Sequence, residues 1–426
     1  MAHHTGSSVY ERFSQRINKF PQGAPASESW YKILKILFSE NEAELLSLVP
    51  LKPFTLKQAA AIWKKSEVET LGILDALADR GNILDFESNG ETTYLLPPPM
   101  AGFLEFSLMR VRKDIDQKIL AELIHQYLNV EEDFVRELFA FGGTPIGRVF
   151  VNEKVLEQNN ILQVLDYEKA SDVIKTADHI GVGVCYCRHK MQHIGKQCDA
   201  PMDVCLTFNS TASSLIKHNI IRPIGVNEGL EILHRSYEHN LVQFGENVRQ
   251  KVNYICNCCG CCCEAMLAAK RFAFSNPVST TNYLPVVDEE KCTGCGKCVE
   301  VCPVEAIGHV TAGDPRNKKK KKTRVDDKLC LGCAVCVRNC KMDALFLKTR
   351  GERIITPLNT AHRSVMMAIE KGGLNDLIFD SQVLYSHRAL SLVLGVILKL
   401  PPLKQLLAAK QVKSRYMEYV ISKMKY

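Results

Sequence analysis

Cysteine recurs twice in the spacing C-x2-C-x2-C-x3-C: first Cys292, Cys295, Cys298 and Cys302, then Cys330, Cys333, Cys336 and Cys340. Thiolates are ligands for soft metals, and four of them can hold one small cube of iron and sulfide. Three closely spaced thiolates must converge on such a cube, so the loop carrying them must be tight and nearly free of side chains. Gly294, Gly296 and Gly332 supply that backbone freedom, and N–H groups in such a loop can point at sulfide. A zinc ribbon is the alternative, since it pairs C-x2-C knuckles around one metal. Two complete four-cysteine runs, with Pro303 closing the first, favour iron–sulfur.

Ten further cysteines stand earlier in the chain. Cys185, Cys187, Cys198 and Cys205 form one set, and Cys256, Cys258, Cys259, Cys261, Cys262 and Cys263 another. A free cysteine can pack as a small hydrophobe, but six within eight residues cannot all do so. These ten are read as ligands of one or two further iron–sulfur clusters, with the ligating subset left open. Apolar runs at 181–184 and 252–255 lead into the two sets, with helical patterns at 212–218 and 228–239 between them. That order predicts an α/β unit, in which ligands sit beyond the carboxyl ends of strands, so the two sets should meet. Arg188, His189 and His193 either tune or serve a cluster or pair with Asp199 and Asp203 on the surface.

Residues 284–348 resemble the two-cluster bacterial ferredoxin module. The resemblance implies two [4Fe-4S] clusters, one on Cys292, Cys295, Cys298 and Cys340, the other on Cys330, Cys333, Cys336 and Cys302. Lys341 departs from that pattern, standing where a proline would follow the second run. So does the insert Asp314–Lys322, with five successive lysines, which should form a solvated hairpin tip or a docking patch for an acidic redox partner. Cys258-Cys259-Gly260 resembles the CCG element of heterodisulfide-reductase-type proteins, which hold noncubane clusters at a thiol/disulfide active site; the second CCG of that family is missing here. The whole arrangement is similar to a class of 4Fe-4S dicluster proteins of anaerobic bacteria, which implies electron transfer and names no substrate.

The elements that must position these residues follow from patterning. The expected fold class is α+β and multidomain: a polar lead-in over 1–27, a winged-helix-like domain over 28–97, a helical bridge over 98–165, the α/β cysteine-rich domain over 166–283, the ferredoxin module over 284–348 and a helical basic tail over 349–426. In the winged-helix stretch, helical spacing runs over 29–49, Thr55 opens a short helix, and Ser66-Glu-Val-Glu69 reads as a capping box. A hairpin turning at Asn89-Gly90 closes it. The third helix carries Glu67, Glu69, Asp75 and Asp79, an acidic face that repels phosphate, so no nucleic-acid partner is expected. Helical patterns at 103–128 and 130–139 form the bridge, a helix is expected over 167–179, and two more over 353–371 and 374–385.

Bulk composition narrows the class. The 426 residues carry 18 cysteines, none before residue 185 and none after residue 340, so a disulfide scaffold spread over a secreted fold is disfavoured. With no signal-peptide pattern at the start, a cytoplasmic location is expected, in an anaerobe. The formal net charge is +7, and residues 381–426 hold eight basic residues against Glu418, so the tail carries the whole excess. Its uncharged run 389–398 is too short to span a bilayer but suits burial, partner docking or peripheral membrane contact. No nucleotide or flavin fingerprint is present. The reading is an iron–sulfur electron-transfer protein, a subunit or partner of an anaerobic oxidoreductase; the alternatives are a reductase of a disulfide or small organic acceptor, and a redox-sensing regulator.

Overall fold

The structure, a computed structural model, describes residues 8–88, 90–140, 143–156, 164–272, 277–311 and 321–378. Asn89, most of the lysine insert (312–320) and the basic tail beyond Ile378, with its apolar run, lie outside these residues. Among the described residues no helix is long and apolar enough to cross a membrane.

The N-terminal part differs from the expected polar lead-in. Val9–Ile17 is a helix, capped by a Ser8–Glu11 capping box and burying Phe13 and Ile17. A stretch that looks polar by composition thus carries an apolar face at helical spacing. The single helix expected over 29–49 is two, Glu28–Leu37 and Glu40–Leu46. Ser39 opens the second with its own capping box to Glu42, and that local hydrogen bonding breaks the helix at Phe38.

Thr55 caps Leu56–Trp63, and Ser66 caps Glu67–Ala78. Glu69 does not complete the reciprocal half of that cap; it takes Lys65 and the Ser66 hydroxyl instead. Strands β1 (Phe54–Thr55), β2 (Leu84–Ser88) and β3 (Glu91–Leu95) form a small antiparallel sheet in the order β1-β3-β2.

The bridge is less helical than its pattern. Among its described residues, regular α-helix is confined to Leu104–Phe106, Gln117–His125, Asp133–Ala140 and Glu153–Leu156. Asp116 explains the interruption: its carboxylate accepts from the amides of Lys118 and Ile119, starting a new helix rather than continuing an old one. The bridge also supplies β4 (Gly147–Val149), an edge strand that the pattern did not suggest.

The middle region is a six-stranded sheet of β4, β5 (Ile180–Gly183), β6 (Cys205–Phe208), β7 (Arg222–Pro223), β8 (Val242–Glu246) and β9 (Tyr254–Cys258), in the order β4-β8-β9-β6-β5-β7. Every neighbouring pair is antiparallel, which corrects the α/β expectation. Helices Tyr186–His193, Asn209–Lys217 and Val226–Glu238 do lie between strands, but no two neighbouring strands of the sheet run parallel. The expected helix over 167–179 is a short 3-10 turn and then Ala170–Thr176.

The N-terminal part is locked to the middle region through Asp85. Its carboxylate accepts from Ser214 Oγ and Lys217 Nζ at 2.7 Å each, and it faces His218 Nε2 at 3.1 Å. Burial would raise this carboxyl, but the hydrogen bonds from His218, Lys217 and Ser214 outweigh it and hold Asp85 far below the usual carboxylate range. The stability it contributes is therefore present above the unfolded carboxylate pKa and lost as pH falls through the folded one. Asp85→Ala would leave Ser214 buried without its carboxylate and His218 with Asp79 alone, and should lower urea stability by about 3 kcal/mol at neutral pH, with a smaller penalty in acid.

In the C-terminal part, β10 (Tyr283–Val287) pairs with β13 (Leu345–Thr349), and β11 (Ile307–Thr311) with β12 (Lys321–Val325), all antiparallel. The lysine insert therefore joins two paired strands, and Lys321 and Lys322 belong to β12, where Lys322 pairs with Glu289. The helix expected over 353–371 begins only at Thr360, capped by Asn359, and a second runs Leu374–Ile378.

Candidate metal centres

The two C-x2-C-x2-C-x3-C runs fold as near copies. Gly294 and Gly332 have φ of 70° and 71°, and Gly296 and Ala334 follow at 88° and 65°. Each left-handed pair turns the loop into a short helix, Lys297–Glu300 or Val335–Arg338. The glycines are needed for space as well as angle. A Cβ on Gly294 would come within 2.3 Å of the Lys321 carbonyl oxygen, and one on Gly332 within 2.2 Å of that of Tyr283. Ala334 shows that the second left-handed position tolerates a methyl group.

Cys292, Cys295, Cys298 and Cys340 line one cavity, beside Thr323, Met342 and Leu345. Thr323 Oγ1 lies 3.5 Å from Cys292 Sγ and 3.7 Å from Cys298 Sγ. The structure thus brings Cys340, from the second run, to the three leading cysteines of the first. Cys302 goes the other way. Burial pushes Cys330 up to about 11 and raises Cys333 and Cys336 too, and the charge of Cys302 adds to all three. The Ala306 amide donates to Cys302 Sγ at 3.2 Å and the Gly332 amide to Cys330 Sγ at 3.4 Å, the polar contacts a bound cluster's thiolates need.

The ten middle cysteines meet by strand register. In antiparallel order the end of β5, the start of β6 and the end of β9 share one edge of the sheet. Gly183 pairs with Cys205, and the register Leu206↔Ile255 sets Cys205 beside Cys256, with Sγ atoms 3.9 Å apart. The loop after β9 adds Cys259, Cys261, Cys262 and Cys263, and the segment before β6 adds Cys198.

The ten fall into two groups. Cys198, Cys259, Cys261 and Cys262 have all their sulfurs within 4.8 Å of one another. The other six form a chain of neighbours: Cys205 to Cys256, Cys256 to Cys258, Cys258 to Cys263 at 3.0 Å, Cys263 to Cys187, and Cys187 to Cys185. Cys185 and Cys263 are also the N-caps of helices Tyr186–His193 and Glu264–Arg271, so two helix N-termini face this group and favour negative sulfur. Hydrogen bonds from Cys187 and Cys258 bring Cys263 down to about 6. Thiol neighbours and burial push Cys185 and Cys205 well above the ordinary range, so they stay protonated until a cation joins them.

Charged groups near the cysteines sort differently from the sequence reading. Arg188 is 1% exposed and donates to the Asn257 carbonyl at 3.2 and 3.3 Å; its guanidinium also hydrogen-bonds Cys259. It pairs with neither Asp199 nor Asp203; Asp203 takes Arg235. A hydrogen bond from Cys262, then the Arg188 charge, pulls Cys259 down to about 4 against burial. The histidines turn away: His189 Nδ1 bonds the Leu108 carbonyl and its Nε2 faces His193 Nε2 at 3.2 Å.

Sequence reading missed two neighbours. Glu105, on the bridge, is raised to about 8 by burial, with Cys185 adding to the shift. Lys190 and Glu264 form a fully buried ion pair, satisfied further by Asn129, which ties the two cysteine-capped helices together. Their positions, five residues after Cys185 and one after Cys263, were the available signal.

The middle cysteines abut the C-terminal runs. Gly260 lies so close to the residue after Cys302 that a Cβ there would come within 2.4 Å of the Pro303 carbonyl oxygen. Lys270 and Glu305 form an ion pair across the same contact.

The fold and site define a ferredoxin-like iron–sulfur module joined to a cysteine-rich sheet. The family model of the 4Fe-4S binding domain matches residues 285–308. The chain is similar to ferredoxin-2 of Desulfomicrobium norvegicum, 65% identical over 23 residues, a stretch covering 5% of this chain and 39% of that protein. No solved structure matches it.

Proposed function

We propose that this protein conducts electrons between a redox protein partner and a further metal–sulfur centre in the middle region. The observation that carries the reading is the backbone contact of Gly260 with Pro303, which joins the two cysteine-bearing regions. In this reading Cys292, Cys295, Cys298 and Cys340 hold one [4Fe-4S] cluster, Cys330, Cys333, Cys336 and Cys302 hold a second, and the six-thiol group holds a further iron–sulfur centre. Bound clusters supply one-electron chemistry, because one charge spreads over several metal and sulfide atoms. The chain supplies the rest. Cys295 is exposed, so the first set opens to a partner at the surface. Lys291, Lys297 and Lys322 around it are each ion-paired, with Asp288, Glu300 and Glu289, so the described rim offers charges of both signs to a partner. The six-thiol group lies deeper, with helix N-termini to stabilise its negative charge.

A subunit or partner of an anaerobic oxidoreductase fits this layout. A reductase acting on a disulfide or small acceptor at the six-thiol group is the second reading, and the half-buried Glu105 beside Cys185 favours it by offering a proton source. A DNA-binding regulator is not supported: the exposed face of helix Glu67–Ala78 carries Glu67, Glu69 and Asp75. The test is EPR of a Cys256→Ser, Cys258→Ser variant prepared without oxygen. The reading expects one signal to vanish while the two signals of the ferredoxin-like module persist. An unchanged spectrum contradicts it.

A further inference from the structure

Among the described residues, the four-thiol group is where more than two cysteine sulfurs crowd together; in the six-thiol group close sulfurs come in pairs, such as Cys258 and Cys263 at 3.0 Å. When four thiolates bind one ion, the sulfurs form a tetrahedron with edges of about 3.8 Å, given metal–sulfur bonds of about 2.3 Å. When they terminate a cube of four irons, each hangs outward from a different iron and the sulfurs stand on the order of 6 Å apart. In the structure Cys261 Sγ lies 3.7 Å from Cys262 Sγ, Cys262 Sγ lies 3.8 Å from Cys198 Sγ, and all four sulfurs of the group fall within 4.8 Å of one another. The ferredoxin-like module provides the internal comparison. All eight of its cysteines are described, and no three of them bring their sulfurs that close. Cys292, Cys295, Cys298 and Cys340 instead surround a cavity.

A second observation points to an anion at the same place. Arg188 is buried, and none of the described carboxylates forms an ion pair with it. Its Nε has no hydrogen-bond partner, while its guanidinium contacts Cys259. A buried guanidinium without counter-charge costs several kcal/mol, so its natural complement is a metal thiolate centre of net negative charge.

We propose that Cys198, Cys259, Cys261 and Cys262 bind a single tetrahedral metal ion, iron or zinc, and not a cluster. Binding releases the thiol protons and leaves four thiolates on one divalent ion, a net charge of minus two that Arg188 partly offsets. The inference rests on the reading that the middle cysteines hold metal, but it assigns the further cluster to the six-thiol group alone. Iron there would be a one-electron relay beside Gly260; zinc would be a structural clamp holding the segment around Cys198 to the loop after β9.

The test is metal and acid-labile sulfide analysis of a Cys198→Ser, Cys261→Ser variant against the unaltered chain. The expected loss is one zinc, or one iron, per chain with labile sulfide unchanged. Loss of about four irons with about four sulfides, or no loss of metal, overturns the proposal. The unaltered chain offers a second measurement that does not depend on the variant's folding. Zinc-edge X-ray absorption with four sulfur neighbours at about 2.3 Å, or a Mössbauer component from one isolated high-spin iron, is expected there. Absence of both overturns the proposal. The Cys256→Ser, Cys258→Ser variant reports on the six-thiol group separately, so failure of one assignment is distinguishable from failure of the other.

Discussion

Replacing Cys302 with alanine should remove the cluster of the second run, not that of its own. Anaerobically prepared Cys302→Ala protein is expected to lose about four irons and about four sulfides, and to keep the EPR signal that depends on Cys292, Cys295, Cys298 and Cys340. The expectation follows from where the chain turns. Helix Lys297–Glu300 carries Cys302 away from the cavity lined by the first three cysteines and towards Cys330, Cys333 and Cys336, whose thiols feel its charge. Cys340→Ala should do the reverse. If Cys302→Ala removes the Cys292-dependent signal and spares the other, the two sets do not cross.

Gly260→Val should uncouple the two regions. A side chain at 260 meets the Pro303 backbone, which cannot swing aside as a flexible side chain would. Overpacking of this kind costs about 1–3 kcal/mol. The expected result is a protein that retains its metal and the spectra of both ferredoxin-like clusters, but whose six-thiol centre is reduced more slowly when electrons enter from a ferredoxin-type donor. Stopped-flow absorbance with parallel freeze-quench EPR measures both. Reduction at the unaltered rate would mean that electrons reach the six-thiol group without crossing the Gly260–Pro303 contact.

The parts of the site visible in sequence were those set by short spacing. The glycines at 294, 296 and 332, and the two cysteine runs, carry their geometry within a dozen residues, and the structure gives all three glycines positive φ. The middle cysteines were visible as a density, not as an arrangement. Their division depends on the register of β5, β6 and β9, which a strand pattern alone does not fix; the expected meeting of the two sets holds because β5 and β9, each antiparallel to β6 between them, end on the same side. For Arg188 the sequence leaves two partners open, cysteine sulfur or Asp199 and Asp203, and only its burial against Cys259 decides between them. The Lys190–Glu264 pair needed two helices brought together from distant segments. The N-terminal helix Val9–Ile17 was missed because mean polarity hid an apolar stripe made by Tyr10, Phe13 and Ile17.

The most direct measurement is the iron and acid-labile sulfide content of protein made and kept without oxygen, read alongside its reduced EPR spectrum. The account predicts at least about twelve irons per chain, with signals from three centres. A count of about eight would confine iron to the ferredoxin-like module, and a colourless protein carrying only zinc would contradict the account at its base.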